Sequence, residues 1–130
     1  GKSISQHEGE TVWMGRFQIE KAEPERMRRI TEEKLEWRSS RHPPLDTEPS
    51  AGSIFKKIEG IGAGRLIDEC GLKGSRKGGI EITHGHANIM INRGGATAQD
   101  VLSMIEFVVK TVQEQKGYVL EPEIAFIGEF

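Results

Sequence analysis

The stretch Thr97 to Gly117 constrains this chain most. Val101, Ile105, Val108 and Val112 recur at i, i+4, i+7 and i+11, and Leu102 and Val109 widen the stripe. Thr97-Ala98-Gln99-Asp100 resembles a capping box with Asp in place of Glu or Gln, and Gly117 is a stop signal. The sequence therefore predicts a helix to about Lys116 with one long apolar face. Such a face needs a second layer to cover it.

The rest of the chain supplies short elements. Thr11 to Ala22 partly alternates, through Val12, Met14, Phe17 and Ile19, and reads as a strand broken at Gly15. Pro24 suits a helix first turn, with Glu23 and Glu25 at its positive end, and the helix should run to about Arg38. Met27, Ile30 and Leu35 or Trp37 would face inward, and its mixed charges read as a solvated face with i,i+4 pairs. Residues 39–49 hold three of the five prolines and form a loop. Ser53 to Lys57 is strand-like, Glu59 to Gly64 a glycine-rich turn, and Ala63 to Cys70 a short helix ended by Gly71. A basic turn region follows over 71–79. Ile80 to Thr83 and Ala87 to Asn92 read as strands around THGH, and Glu123 to Ile127 as a last strand. The order β-α-β-α-β-β-α-β is an α+β domain, its mixed or antiparallel sheet carrying helices mainly on one face.

The 130 residues fit one domain with one modest core. A net charge of −2 gives no strong field toward nucleic acid or membrane. A single cysteine, Cys70, excludes an internal disulfide and suits a reducing cytoplasm. No apolar run approaches the roughly 20 residues that span a bilayer, and no signal peptide is visible. The chain opens Gly1-Lys2-Ser3-Ile4 and first reaches methionine at Met14, as expected of a piece of something longer or of a processed chain.

Four motifs carry candidate chemistry. GIGAG, Gly60 to Gly64, opens a helix, but it is not the G-x-G-x-x-G dinucleotide fingerprint, so a turn with close packing is the plainer reading. His84-Gly85-His86, with Cys70 and His42, lacks the second ligand pair that zinc requires; the histidines are turn or polar-site residues. On a strand, His84 and His86 would share a face. Ser53 has Ala51 and Phe55 where a G-x-S-x-G elbow needs glycines, which excludes that nucleophile. Arg41, Lys56, Lys57, Lys73, Arg76 and Lys77 either keep the chain soluble or receive an anionic, phosphate-bearing ligand.

Taken together, SAGSIFKK, AGRLIDECGLKGSRKGGIEITHGHANIMINRGGATAQDV and LEPEIAFIG resemble the C-terminal part of the UDP-N-acetylenolpyruvoylglucosamine reductase family (UDP-N-acetylmuramate dehydrogenase). That family's pattern is AGSxFKNP, then AGxLIxxxGLKGxxxGGAxxxxxHAxxxxNxxxATAxDV, then LEPEVxxIG. The likeness is close over roughly residues 50–128 and looser over 10–49. It implies a flavoenzyme of peptidoglycan precursor synthesis in which FAD, recharged by NADPH, reduces the enolpyruvyl group of a UDP-sugar. It implies that Ser53 donates a proton, that Gly52 allows close approach, and that Glu123 stabilises the enolic intermediate. Arg41, Lys56, Lys57 and His86 fall among the substrate-holding positions. Lys57-Ile58 departs from the family's Asn-Pro, and either exchanges an amide contact for a charge contact or marks a lost function.

The family's FAD-binding portion has no counterpart in these 130 residues. The chain alone is therefore expected neither to hold FAD nor to catalyse a reduction. Its exposed interdomain face is expected to drive self-association, in the first instance as a homodimer. The alternative is a stand-alone nucleotide-sugar or anion-binding module that kept the fold and lost the reaction.

Overall fold

The computed structural model describes residues 13–40, 42–58 and 60–128. The chain divides into two compact units, one ending at Glu33 and the other beginning at Lys34. The first unit holds residues 13–23, which form no regular element, and the start of helix α1 (Pro24–Ser39). The strand expected over 11–22 is absent from its described part, 13–22: the alternation breaks at Gly15, and an extended segment without a ladder partner gains nothing from its pattern. Residues 11 and 12 lie outside the described residues.

Helix α1 forms where Pro24 and Glu25 predict, but no residue of it is buried. The expected inward face fails for a geometric reason. Met27 and Ile30 are three apart, but Lys34 then takes the next position on that face, and Leu35 and Trp37 fall to its sides. Arg28 and Glu25 pair at 3.3 Å, an i,i+3 contact on a solvated surface.

The core lies in the second unit. It contains α2 (Ala63–Glu69), a three-stranded antiparallel sheet and α3 (Ala98–Lys116). The strands β1 (Arg76–Lys77), β2 (Ile80–Ile82) and β3 (Met90–Asn92) run in the order β1-β2-β3. Lys77 pairs with Ile80 across a two-residue Gly78-Gly79 turn, and Glu81 pairs with Ile91. The basic letters of 71–79 read as a turn region, yet Arg76 and Lys77 form strand β1. Two residues give no visible alternation, and their pairing is imposed by β2.

Helix α3 forms as its sequence predicts. The Thr97 side chain accepts from the Asp100 N–H at 3.1 Å, and the Asp100 carboxylate accepts from the Thr97 N–H at 2.9 Å. Gly117 caps the other end in the left-handed region at φ 73°. Met104, Ile105, Val108 and Val112 are buried with Ile80 and Ile82 of the sheet and Leu66 and Ile67 of α2. The α3 N-terminus approaches the β1–β2 turn so closely that a Cβ on Gly79 would lie 2.5 Å from the backbone nitrogen of Ala96. Only glycine fits there.

The outer rungs are single bridges rather than strands. Ser53 pairs with Ile89, and Phe55 with Pro122. Around the second bridge the Lys56 N–H donates to the Glu121 carbonyl at 2.8 Å, and the Glu123 N–H to the Ile54 carbonyl at 2.7 Å. Pro122 thus sits at the position whose N–H the ladder does not use. The last strand expected over 123–127 does not form; pairing stops after that one bridge. The observed order is α-α-β-β-β-α, an α+β arrangement with an antiparallel sheet.

Candidate functional site

Three chain segments meet at a cleft of about 530 Å³. The first carries Ser53, Phe55 and Lys57, the second the 83–89 turn with His86 and Asn88, and the third Glu123. The N-terminal part of α2, Gly62 to Arg65, and Lys73 complete the walls. Ser53 and Glu123, seventy positions apart in the chain (123 minus 53), therefore line one space.

Each side chain has a local reason for its position. Gly52 takes φ +79°, which only glycine adopts without strain, and so turns the chain into Ser53. Ile54 and Phe55 behind it are buried and anchor the segment, while Ser53 itself is exposed. His86 is clamped by Thr83: the Thr83 hydroxyl donates to the His86 carbonyl at 2.8 Å and accepts from the His86 N–H at 3.0 Å. The imidazole stacks on His42 with centroids 6.0 Å apart and planes 20° from parallel. Its Nδ1 accepts from the Asn88 N–H at 3.3 Å, so the proton of the neutral ring sits on Nε2. Burial first, then the charge of His42 and that of Lys73, push the His86 pKa below the ordinary imidazole value, against a raising backbone hydrogen bond.

The charge in the cleft is mixed. Lys73 pairs with Asp68 at 2.6 Å, and Arg65 pairs with Glu69 at 2.8 Å. Lys57 has no carboxylate partner among the described residues, which leaves its ammonium available to an anion. Among the described residues no group of three or more His, Cys, Asp or Glu is placed to hold a metal ion. Nor is any helix long and apolar enough to cross a membrane.

Ser53, Lys57, His86 and Glu123 are thus brought together, with the candidate cation Lys73 in the wall beside them, and the other candidate side chains go elsewhere. Lys56 forms an ion pair with Glu121 and does not line this cleft. Gly52 lines a neighbouring cleft of about 600 Å³, together with His42, Pro43 and Pro44. Arg41 lies outside the described residues. His84 and His86 do not share a face, because they stand in a turn rather than a strand; His84 lines a smaller cleft with Glu48 and Arg93. Arg76 pairs with Glu81, and Lys77 lies over the Phe107 ring at 4.8 Å.

The family model for the C-terminal domain of UDP-N-acetylenolpyruvoylglucosamine reductase matches residues 43–127. The chain belongs to this reductase family. A curated UDP-N-acetylenolpyruvoylglucosamine reductase of Lachnoclostridium phytofermentans is 43% identical over 127 residues, covering 98% of this chain and 40% of that protein. One from Exiguobacterium sibiricum is 42% identical over 115 residues, covering 88% of this chain and 37% of that protein. The crystal structure of the Thermus caldophilus reductase superposes with a TM-score of 0.64 at 38% identity, over 82% of this chain and 36% of that one. The chain therefore spans about 40% of the length of these curated reductases. The stretch matched to the reductase domain holds all four residues gathered in the cleft; Arg41 and α1 precede it.

Gly62 and Gly64 of the GIGAG motif line the cleft, so a motif read as a plain turn stands at the site; Arg65 and Asn88 also line it, and the sequence does not single them out. Nothing in the letters marks Asn88, because the backbone groups that its carboxamide pairs with are 33 residues away.

Proposed function

We propose that this chain is the substrate-binding and proton-donating part of a reductase that converts UDP-N-acetylglucosamine enolpyruvate to UDP-N-acetylmuramate. The observation that carries this reading is the meeting of Ser53, Glu123, His86 and Lys57 in one cleft. Lys57 and the Nε2–H of His86 offer donors to a diphosphate, with Arg41 assigned to the same task by the resemblance. Ser53 offers the proton. A serine hydroxyl is a very weak acid, so it serves only a strongly basic, carbanion-like carbon. Glu123 stands at the same space, where a carboxyl can stabilise the enolic intermediate.

The residues described do not fit FAD. The sheet is antiparallel, and GIGAG opens a helix of only seven residues with no parallel strand before it. On this reading FAD, recharged by NADPH, is held by another part of the enzyme and supplies the hydride, in the cytoplasm, and the chain alone is inactive.

The test has two parts. Titration of the chain with UDP-N-acetylglucosamine enolpyruvate should shift the amide resonances of Ser53, Lys57 and His86; silence at millimolar ligand defeats the reading. When the chain is united with a flavin-bearing portion, Ser53→Ala should slow flavin reoxidation by substrate at least about tenfold, 1.4 kcal/mol. A second reading, a nucleotide-sugar or anion-binding module without the reaction, is favoured by Lys57-Ile58 in place of Asn-Pro. It is distinguished by ligand binding with no effect of Ser53→Ala in the united enzyme.

A further inference from the structure

Asn88 is 7% exposed and touches the site through every polar group it has. Its Oδ1 accepts from the Phe55 N–H at 2.9 Å, and its Nδ2 donates to the Phe55 carbonyl at 2.9 Å. Its own carbonyl accepts from the Ile54 N–H at 2.9 Å. Its N–H donates to His86 Nδ1 at 3.3 Å. The Ile54 carbonyl, in turn, accepts from the Glu123 N–H at 2.7 Å.

The carboxamide therefore replaces a strand. After the Ser53–Ile89 bridge, the 83–89 turn carries the backbone away from the Phe55 segment, and a ladder would end with two buried polar groups unpaired. The Asn88 side chain supplies one acceptor and one donor in one plane, as a peptide group does. Leucine has the shape and neither group. Aspartate keeps the acceptor, but as a carboxylate it faces the Phe55 carbonyl with a like partial charge. We propose that Asn88 is a positioning residue of the cleft: its carboxamide holds the Phe55 backbone, and through that the flanking Ser53 and Glu123 segments, while its own N–H holds the His86 ring in the same arrangement. It touches no reacting atom on the proposed chemistry. This inference rests on the reading of Ser53, His86 and Glu123 as the site for its meaning, but its geometry is testable without ligand.

The test uses the isotopically labelled chain and three variants. Val112→Ala, in the buried face of α3 away from the cleft, reports what general loss of stability does. Relative to it, Asn88→Leu should speed amide exchange at Phe55 and Glu123 about tenfold or more and shift the Ser53 resonance, while the α3 amides follow stability alone. Asn88→Asp should behave like the leucine variant while ionised. It should recover the Phe55 and Glu123 protection when acid protonates its side chain, because the acid form again offers a donor and an acceptor. Phe55 and Glu123 protection that matches Val112→Ala in the leucine variant overturns the proposal. If that variant does not fold, protection in Asn88→Asp that is indifferent to the carboxyl's titration overturns it instead. Titration with uridine diphosphate separates the two readings: wild-type resonances at Lys57 and His86 that fail to move sink the nucleotide-sugar site, whereas amide protection decides the role of Asn88 by itself.

Discussion

At His86 three kinds of force act on one ring: the Thr83 clamp fixes its backbone, His42 stacks on its face, and Asn88 fixes its tautomer. Because burial and the neighbouring positive charges lower its pKa, the folded state binds this proton less readily than the unfolded chain does. The contribution is present in full above the unfolded value of about 6.5 and is lost as pH falls through the folded value. The urea midpoint should therefore drop between neutral pH and about pH 5, and His86→Gln should flatten that part of the curve. An unchanged slope in the variant shows that another group is responsible. The letters gave the candidate residues at this scale, but not their company. The sequence groups His42 with His86 only to set a metal site aside, whereas they meet as stacked rings, and the geometry that joins them lies in the fold of a loop and a turn more than forty residues apart.

At the scale of elements, what was legible is what is local. The caps and stripe of α3 are written within 21 residues, Thr97 to Gly117, and all formed. Thr97→Ala removes one half of the capping box and should cost about 1 kcal/mol in chemical denaturation. The partner half titrates: hydrogen bonds from the Thr97 and Gly79 backbones, with the Thr97 hydroxyl, hold the Asp100 carboxyl below its ordinary range. Its contribution is thus present above about pH 3.8 and lost below it. The strand expected over 11–22 is absent from its described part and that over 123–127 does not form, because alternation describes one surface and not the neighbour that must pair with it. Gly79 makes the same point in reverse. It read as turn chemistry, yet its reason is the backbone of Ala96, seventeen positions on (96 minus 79). Gly79→Ala meets main chain that cannot rotate away, and should cost about 1–3 kcal/mol by the same denaturation assay. A variant as stable as the parent would mean that α3 docks less tightly on the β1–β2 turn.

At the scale of the whole molecule, the apolar residues outside the core bear on association. Trp13, Phe17 and Ile19 are 91%, 85% and 87% exposed, and all three lie in the unit that ends at Glu33. Covering a large apolar side chain is worth about 1.5–3 kcal/mol, so the three together offer roughly 5–9 kcal/mol. Bringing two chains together costs an estimated 4–15 kcal/mol in lost freedom. The two amounts are close, which makes weak, concentration-dependent self-association the expected behaviour rather than a tight dimer. Light scattering should show the average mass rising above that of one chain in the upper micromolar to millimolar range. Trp13→Ser, Phe17→Ser and Ile19→Ser combined should restore the monomer without lowering the denaturation midpoint, because none of the three is buried in the folded chain. The same argument separates two origins of the exposure. If these residues meet the flavin-bearing portion of the enzyme, adding that portion should suppress self-association and the triple variant should weaken its binding. Monomeric mass at every concentration, with undiminished binding of the flavin-bearing portion to the variant, would show that this surface is simply solvated.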